Sequence, residues 1–164
     1  MQNLILIGMM GCGKTTVGKL LAPRLGLELA DTDALIEVRA GQSIRDIFHD
    51  HGDGRFRDWE DLVSRELSRK SGLVIACGGG LPLQDSAIAA LKQSGPVFWL
   101  NRDPAETYGG LDVSGRPLAQ AGQADFLARY EARVPVYRRW ADYIIEEETP
   151  EAAADAVAAI YLGL

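Results

Sequence analysis

The sequence predicts an α/β fold: a parallel sheet with helices on both faces. Three observations predict it. Short apolar runs of strand length alternate with segments of helical periodicity along the chain. The first run, Leu4-Ile5-Leu6-Ile7, is apolar at every position, as a strand covered on both faces must be. No Pro/Gly/Ser-rich linker, internal repeat or low-complexity block divides the 164 residues, a length that fits one domain spanning 1–164.

The elements follow in order. After Ile7 a glycine-rich turn leads into a helix with Val17, Leu20, Leu21 and Leu25 on one face. Pro23 is expected to end or kink that helix early, because proline has no N–H to give and its ring crowds the preceding turn. Leu27–Ala30 reads as a second strand, and Ala34–Ala40 as a helix stopped by Gly41. Ser43 with Asp46 resembles a capping box for a short helix carrying Ile44, Ile47 and Phe48. Gly52 and Gly54 are expected to break it. A longer helix follows, with Phe56, Trp59, Val63 and Leu67 as its apolar stripe. Leu73–Ala76 is a third strand, running into Gly78-Gly79-Gly80. Ile88 and Leu91 mark another helix, and Val97–Leu100 a fourth strand. Gly109, Gly110, Gly115, Pro117 and Gly122 predict a mobile loop over about 109–124. Phe126–Trp140 reads as helix except at Pro135, Tyr143-Ile144-Ile145 as a fifth strand, and Pro150 opens a last helix with Ala153, Val157 and Ile160. Trp59, Trp99 and Trp140 read as core or half-buried packing.

Composition narrows the function. Apolar residues make up 47% and charged residues 24%, which is globular usage and excludes a disordered or coiled-coil chain. Net charge is −6, so no basic excess exists to meet nucleic acid or a membrane surface. Thirteen arginines stand against four lysines, and arginine is the residue that grips carboxylate or phosphate with a fork. A few placed arginines on an acidic protein suit a small anionic ligand. Two cysteines, Cys12 and Cys77, are too few for a disulfide scaffold. The apolar Met1–Met10 stretch has no basic flank and reads as a buried strand rather than a leader, so a cytoplasmic protein is expected.

The strongest motif is Gly8-Met9-Met10-Gly11-Cys12-Gly13-Lys14-Thr15, which is G-x-x-x-x-G-K-[ST] between a strand and an amphipathic helix. Its backbone N–H groups and the helix N-terminus suit phosphate oxygens. Gly11, Cys12, Gly13, Lys14, Thr15 and Thr16 are therefore the candidate ATP-binding residues. Lys14 is expected to reach the β- and γ-phosphates and Thr15 to offer its hydroxyl to Mg²⁺. The motif establishes a triphosphate site and leaves the acceptor open.

Five weaker fragments bear on the acceptor. Asp31-Thr32-Asp33 follows the second strand, at the end of the sheet where ligands bind. One carboxylate suits Mg²⁺ and the other an acceptor hydroxyl; alternatively, Asp31 is a helix cap. No Asp closes the third strand, where Cys77 stands instead, and this moves the magnesium role towards Asp31. Arg57 and Glu60, three residues apart, share a helix face; alone they read as a surface ion pair. Gly78-Gly79-Gly80 lets a ligand approach the backbone closely, or is a flexible turn. Arg116 in the glycine-dense loop suits charge developing on a transferred phosphoryl group, and Arg133 suits a carboxylate. His49-Asp50-His51 has no third ligand at helical spacing and reads as a solvated helix end. Glu146-Glu147-Glu148 reads as a solvated charge run.

Taken together, the fragments resemble the shikimate kinase family, in the family's order and over nearly the whole chain. The pieces are the loop at 8–15, Asp31-Thr32-Asp33, Phe56-Arg57 with Glu60, the glycines at 78–80, Arg116-Pro117-Leu118, and Arg133 with Pro135 and Tyr137. The resemblance implies a P-loop NTPase with a five-stranded parallel sheet of the nucleoside-monophosphate-kinase type and a lid over about 109–124. Substrate-binding helices would span about 33–70. It implies transfer of the ATP γ-phosphoryl group to the 3-hydroxyl of shikimate, on the route to chorismate and the aromatic amino acids. Asp33, Arg57, Glu60, Gly78, Gly79, Gly80 and Arg133 would form the shikimate site. Arg57 and Arg133 would take the carboxylate and Asp33 the hydroxyls. Thr15 and Asp31 would serve Mg²⁺, while Lys14, Asp33 and Arg116 would be catalytic. Where the family often carries arginine against adenine, this chain has Thr107-Tyr108-Gly109-Gly110 and Glu146–Glu148, and Tyr108 is the candidate to stack instead. A small kinase for another hydroxy acid such as gluconate, or a nucleotide-binding module without catalysis, are the competing readings. A monomer is expected, with ATP and shikimate as partners and neither nucleic acid nor membrane.

Overall fold

Side chains alternate across a strand, so an all-apolar strand needs a core on each face. The computed structural model, which describes residues 1–111 and 122–164, provides two. Strands β1 (Leu4–Ile7), β2 (Glu28–Asp31), β3 (Leu73–Ala76), β4 (Val97–Leu100) and β5 (Tyr143–Ile145) form one parallel sheet in the order β2-β3-β1-β4-β5. Leu4 and Leu6 of β1, with Phe98 and Leu100 of β4, face helices α1 (Lys14–Leu25) and α7 (Pro150–Leu162). Ile5, Ile7, Ile75, Val97 and Trp99 face the opposite core. That core is closed by α2 (Thr32–Ala40), α3 (Ile44–Ser68), α4 (Asp85–Ser94) and α6 (Gln123–Trp140). The chain leaves central β1 for β2 and β3 on one side, then fills β4 and β5 on the other. Strand order reverses beside β1, which opens a crevice at the carboxyl ends of the strands.

Several boundaries differ from expectation, each for a local reason. β2 begins at Glu28 rather than Leu27, because the Leu27 N–H is taken by Ala22 O (2.8 Å) as α1 ends at Gly26. Pro23 neither ends nor interrupts α1, and Pro135 does not interrupt α6. In both cases the proline and the residue four positions earlier, Lys19 and Glu131, are exposed. The carbonyl that lost its donor therefore turns to water. The range given for α3 holds two helices that meet at a kink: Gly52 leaves helical geometry (φ 77°, ψ −177°) and breaks the first of them as expected, whereas Gly54 stays helical. The Ser43 side chain caps α3 by accepting from Asp46 N (3.1 Å). A short helix α5 (Pro104–Gly109) was not anticipated, although Asp103-Pro104 announces it. Asp103 Oδ1 accepts from Ala105 N (2.8 Å) and Glu106 N (3.2 Å), and Pro104 needs no donor at the first position. Helix thus reaches Gly109, and the next begins at Gln123. Both ends of the loop expected at 109–124 are therefore helical, and residues 112–121, Arg116 included, lie outside the described residues.

One close approach locks the base of the sheet. Asn3 is buried. Its side chain donates to Lys70 O (2.9 Å) and Ser94 Oγ (3.1 Å) and accepts from Leu73 N (3.0 Å), tying β3 to the ends of α3 and α4. A Cβ at Gly95 would lie 1.8 Å from the Asn3 carbonyl oxygen, a backbone atom that cannot swing aside. Gly95→Ala is therefore expected to destabilise the fold by about 2–3 kcal/mol, roughly 5–10 °C in Tm by differential scanning calorimetry.

Candidate active site

The crevice is a cleft of about 480 Å³ between the glycine loop after β1, the start of α2, the middle of α3 and the triple glycine after β3. Gly11, Gly13, Lys14, Thr15 and Thr16 line one side of it. Cys12 does not: its side chain is buried in the core beneath. The Lys14 ammonium donates to the carbonyls of Gly8 (2.7 Å) and Met9 (2.8 Å), so the loop's own backbone holds it at the cleft floor. Thr15 Oγ1 donates to Asp31 Oδ2 (2.6 Å), while Asp31 Oδ1 caps α2 by accepting from Ala34 N (3.1 Å). Asp31 is thus the helix cap on one oxygen, while the other meets Thr15 at the cleft.

Across the cleft, three helices deliver three charged side chains to one stretch of backbone. A Cβ at Gly78 would fall 2.5 Å from Asp33 Oδ1, one at Gly79 3.3 Å from Arg133 Nη1, and one at Gly80 2.8 Å from both Nη atoms of Arg57. The triple glycine thus makes room for the cleft's own side chains, beyond the ligand approach expected of it. The Thr32 hydroxyl fixes the stretch by accepting from Gly78 N (2.9 Å), and the Tyr137 hydroxyl donates to Gly79 O (2.7 Å). Neither contact was visible in the sequence. Burial holds the Tyr137 phenol protonated, with its pKa pushed up to about 12.

The charges differ in how they are met. Glu60 is fully buried, not the surface partner expected; it accepts from Arg57 Nη1 and from Gln84 Nε2 (2.8 Å) on Oε1, and its Oε2 has no partner. Burial pushes its pKa up to about 7 against the pull of Arg57. Asp33 Oδ1 is likewise buried and unpartnered. Burial, with the Asp31 charge adding, raises Asp33 to about 6 against Lys14 and Arg57. Arg133 is 5% exposed and has no carboxylate within ion-pair distance among the described residues; Met9 Sδ, at 3.9 Å, is its recorded polar neighbour. The arrangement is an anion receptor beside a phosphate loop, with a raised carboxylate between them.

Elsewhere the structure sorts the remaining expectations. Tyr108 is half-buried, and its ring packs on Phe126 with centroids 5.3 Å apart. Glu146–Glu148 are exposed, yet they gather with Arg102 and Glu106 around a second cleft of about 320 Å³ beyond β4 and β5. His49 and His51 are exposed, and His49 Nδ1 pairs with Asp50 Oδ1 at 2.9 Å.

A family model for shikimate kinase matches residues 10–161. The chain belongs to the shikimate kinase family. A shikimate kinase of Thermodesulfovibrio yellowstonii is 38% identical over 96% of this chain and 93% of its own length. The structure of the Acinetobacter baumannii shikimate kinase in complex with shikimate superposes with a TM-score of 0.88 at 38% identity, over 98% of this chain and 90% of that one. A gluconokinase of Sinorhizobium meliloti reaches a TM-score of 0.60 at 15% identity, over 99% of this chain and 94% of that one, which shows the shared fold alone. The shikimate kinase assignment makes the chain an ATP-using phosphotransferase with an alcohol acceptor. It also separates the chain from the gluconate-type reading that fold and paired arginines leave open. No helix among the described residues is long and apolar enough to cross a membrane.

Proposed function

We propose that the cleft binds shikimate between Arg57, Arg133 and Asp33 and phosphorylates its 3-hydroxyl from ATP held on the glycine loop. The observation that carries this assignment is the convergence of those three side chains on Gly78–Gly80, facing Lys14 and Thr15 across one cleft. The two guanidinium groups take the carboxylate, which turns the ring so that a hydroxyl meets Asp33. The hydroxyl oxygen attacks the γ-phosphorus while its proton passes to Asp33. The bond from the γ-phosphorus to the bridging oxygen breaks, and ADP leaves with the electron pair. The Lys14 ammonium exchanges its loop carbonyls for phosphate oxygens, and Arg116 is assigned to the same developing charge from the sequence motif. The Thr15 hydroxyl and Asp31 carboxylate, already in contact, are hard oxygen donors that would hold Mg²⁺. When bound, the ion offsets phosphate charge. All the assigned groups belong to one chain, so a monomer, working in the cytoplasm, is sufficient.

The test is ADP release from MgATP with shikimate, gluconate or quinate, beside Arg133→Met. Stimulation by shikimate alone, lost in the variant, supports the assignment. Stimulation by another acid overturns the substrate, and nucleotide binding without turnover favours a non-catalytic module.

We also assign the nucleoside end of ATP to the second cleft, where Glu146–Glu148 oppose a polyanion. Replacing the three with glutamine is expected to lower the ATP KM by about two- to fivefold at low ionic strength. In 0.5 M salt, where charges at this range are screened, the gain should vanish.

A further inference from the structure

The pair Arg57–Glu60 poses a problem for acid recognition. A buried carboxylate bonded to the guanidinium that must also receive an external carboxylate competes with the ligand. Glu60 lines the cleft, so a small rotation would point its charge at the incoming acid. The structure holds it in one way: both recorded bonds land on Oε1, one from Arg57 Nη1 and one from Gln84 Nε2 at 2.8 Å, while Oε2 has none.

Gln84 does not line the cleft, and no sequence motif drew attention to it. Its backbone is fixed where a single 3₁₀ turn (Leu81–Leu83) hands over to α4. Its N–H donates to Leu81 O (3.0 Å), and its carbonyl accepts from Ala87 N and Ile88 N (both 3.1 Å). The side chain therefore reaches α3 from a rigid base. The same five-residue segment begins at Gly80, where an added Cβ would fall 2.8 Å from both Nη atoms of Arg57. One short turn thus sets residue 80 beside Arg57 and bonds residue 84 to Glu60.

We propose that Gln84 is a positioning residue for acid recognition: its bond to Glu60 Oε1 keeps that carboxylate turned to Arg57 and away from the cleft. The amide donor also draws charge off Oε1, which leaves the Arg57 fork freer for the ligand. Without it, Glu60 either binds Arg57 more tightly or swings towards the substrate, and each outcome weakens acid binding while leaving phosphoryl transfer alone. The proposal rests on the reading that Arg57 takes the shikimate carboxylate.

Gln84→Met keeps the side-chain volume and removes the donor. The expected result is a shikimate KM raised about five- to twentyfold, with kcat and the ATP KM unchanged within twofold. In a Glu60→Gln background the same substitution should add less than a twofold change, because the carboxylate it positions is gone. An unchanged shikimate KM, a fall in kcat alone, or a full effect persisting in the Glu60→Gln background each overturns the proposal, whatever happens to Tm. Should Gln84→Met not fold, Gln84→Asn, one methylene too short to reach, carries the same measurement. Arg57→Met separates the two levels. If it leaves the shikimate KM unchanged, the carboxylate assignment falls and this proposal with it; if it raises KM and Gln84→Met does not, only the role of Gln84 falls.

Discussion

Asp33→Asn is expected to lower kcat by about 10²–10⁴ while shifting the shikimate KM by less than about tenfold. The amide keeps the shape of the carboxylate and still meets the acceptor hydroxyl, but it cannot receive the proton. Steady-state ADP release and calorimetric titration with shikimate separate the two effects. A variant retaining a tenth of the turnover would remove Asp33 from the chemistry. The pH profile carries an independent signature. The carboxyl titrates near 6, raised by burial and by Asp31, and only its ionised form accepts a proton. Wild-type kcat/KM should therefore fall as pH drops through about 6. Stability runs the other way. A carboxyl whose folded pKa lies above its unfolded value favours folding while protonated. That contribution is present below about pH 4 and is lost as pH rises through about 6. Asp33→Asn should then raise Tm at pH 8 by several degrees, from at most about 3 kcal/mol of relieved burial, and change it little at pH 4. The carboxylate assigned to the chemistry is held at a cost to the fold.

That cost marks the line between what could be read in the residues and what could not. Strand positions were legible because β1, β3 and β4 are apolar at every residue, a pattern that burial on two faces imposes. The glycine loop was legible because its spacing is a backbone requirement. The prolines misled because the damage from Pro23 and Pro135 depends on whether the orphaned carbonyl reaches water, and that depends on which face packs. Helix α5 escaped because six residues carry too little periodicity, although its cap and proline were in view. In the cleft, Asp33, Arg57 and Arg133 were found through their order along the chain. Their environments were not. A local i, i+3 pair looks the same on a surface as in a core, so Glu60 was read as solvated. Gln84, Thr32 and Tyr137 reach the site through contacts 24, 46 and 58 residues distant in sequence. No window along the chain spans such separations.

Arg57 and Arg133 would both bind the acid's carboxylate, yet their removal should leave opposite marks on stability. Arg133 is a buried guanidinium with no carboxylate partner among the described residues, as the proposed role in acid binding requires. Arg133→Met is expected to raise the shikimate KM by about 10²–10³, the range for a buried charge pair of about 3–4 kcal/mol, with the ATP KM changed less than threefold. Without ligand its Tm should be equal to or above wild type, because an uncompensated buried charge has gone. The Tm rise that saturating shikimate gives the wild type should disappear. Arg57→Met also weakens acid binding, but it strands Glu60, fully buried with one carboxylate oxygen already unpartnered. It should lower Tm at pH 8 by an amount corresponding to about 3 kcal/mol. It should cost less at pH 5, below the raised pKa of about 7, where Glu60 is protonated. Equal losses of Tm in the two variants would contradict the division of labour argued here. Opposite signs would identify Arg133 as the charge that waits for substrate and Arg57 as the charge that the fold has already half spent on Glu60.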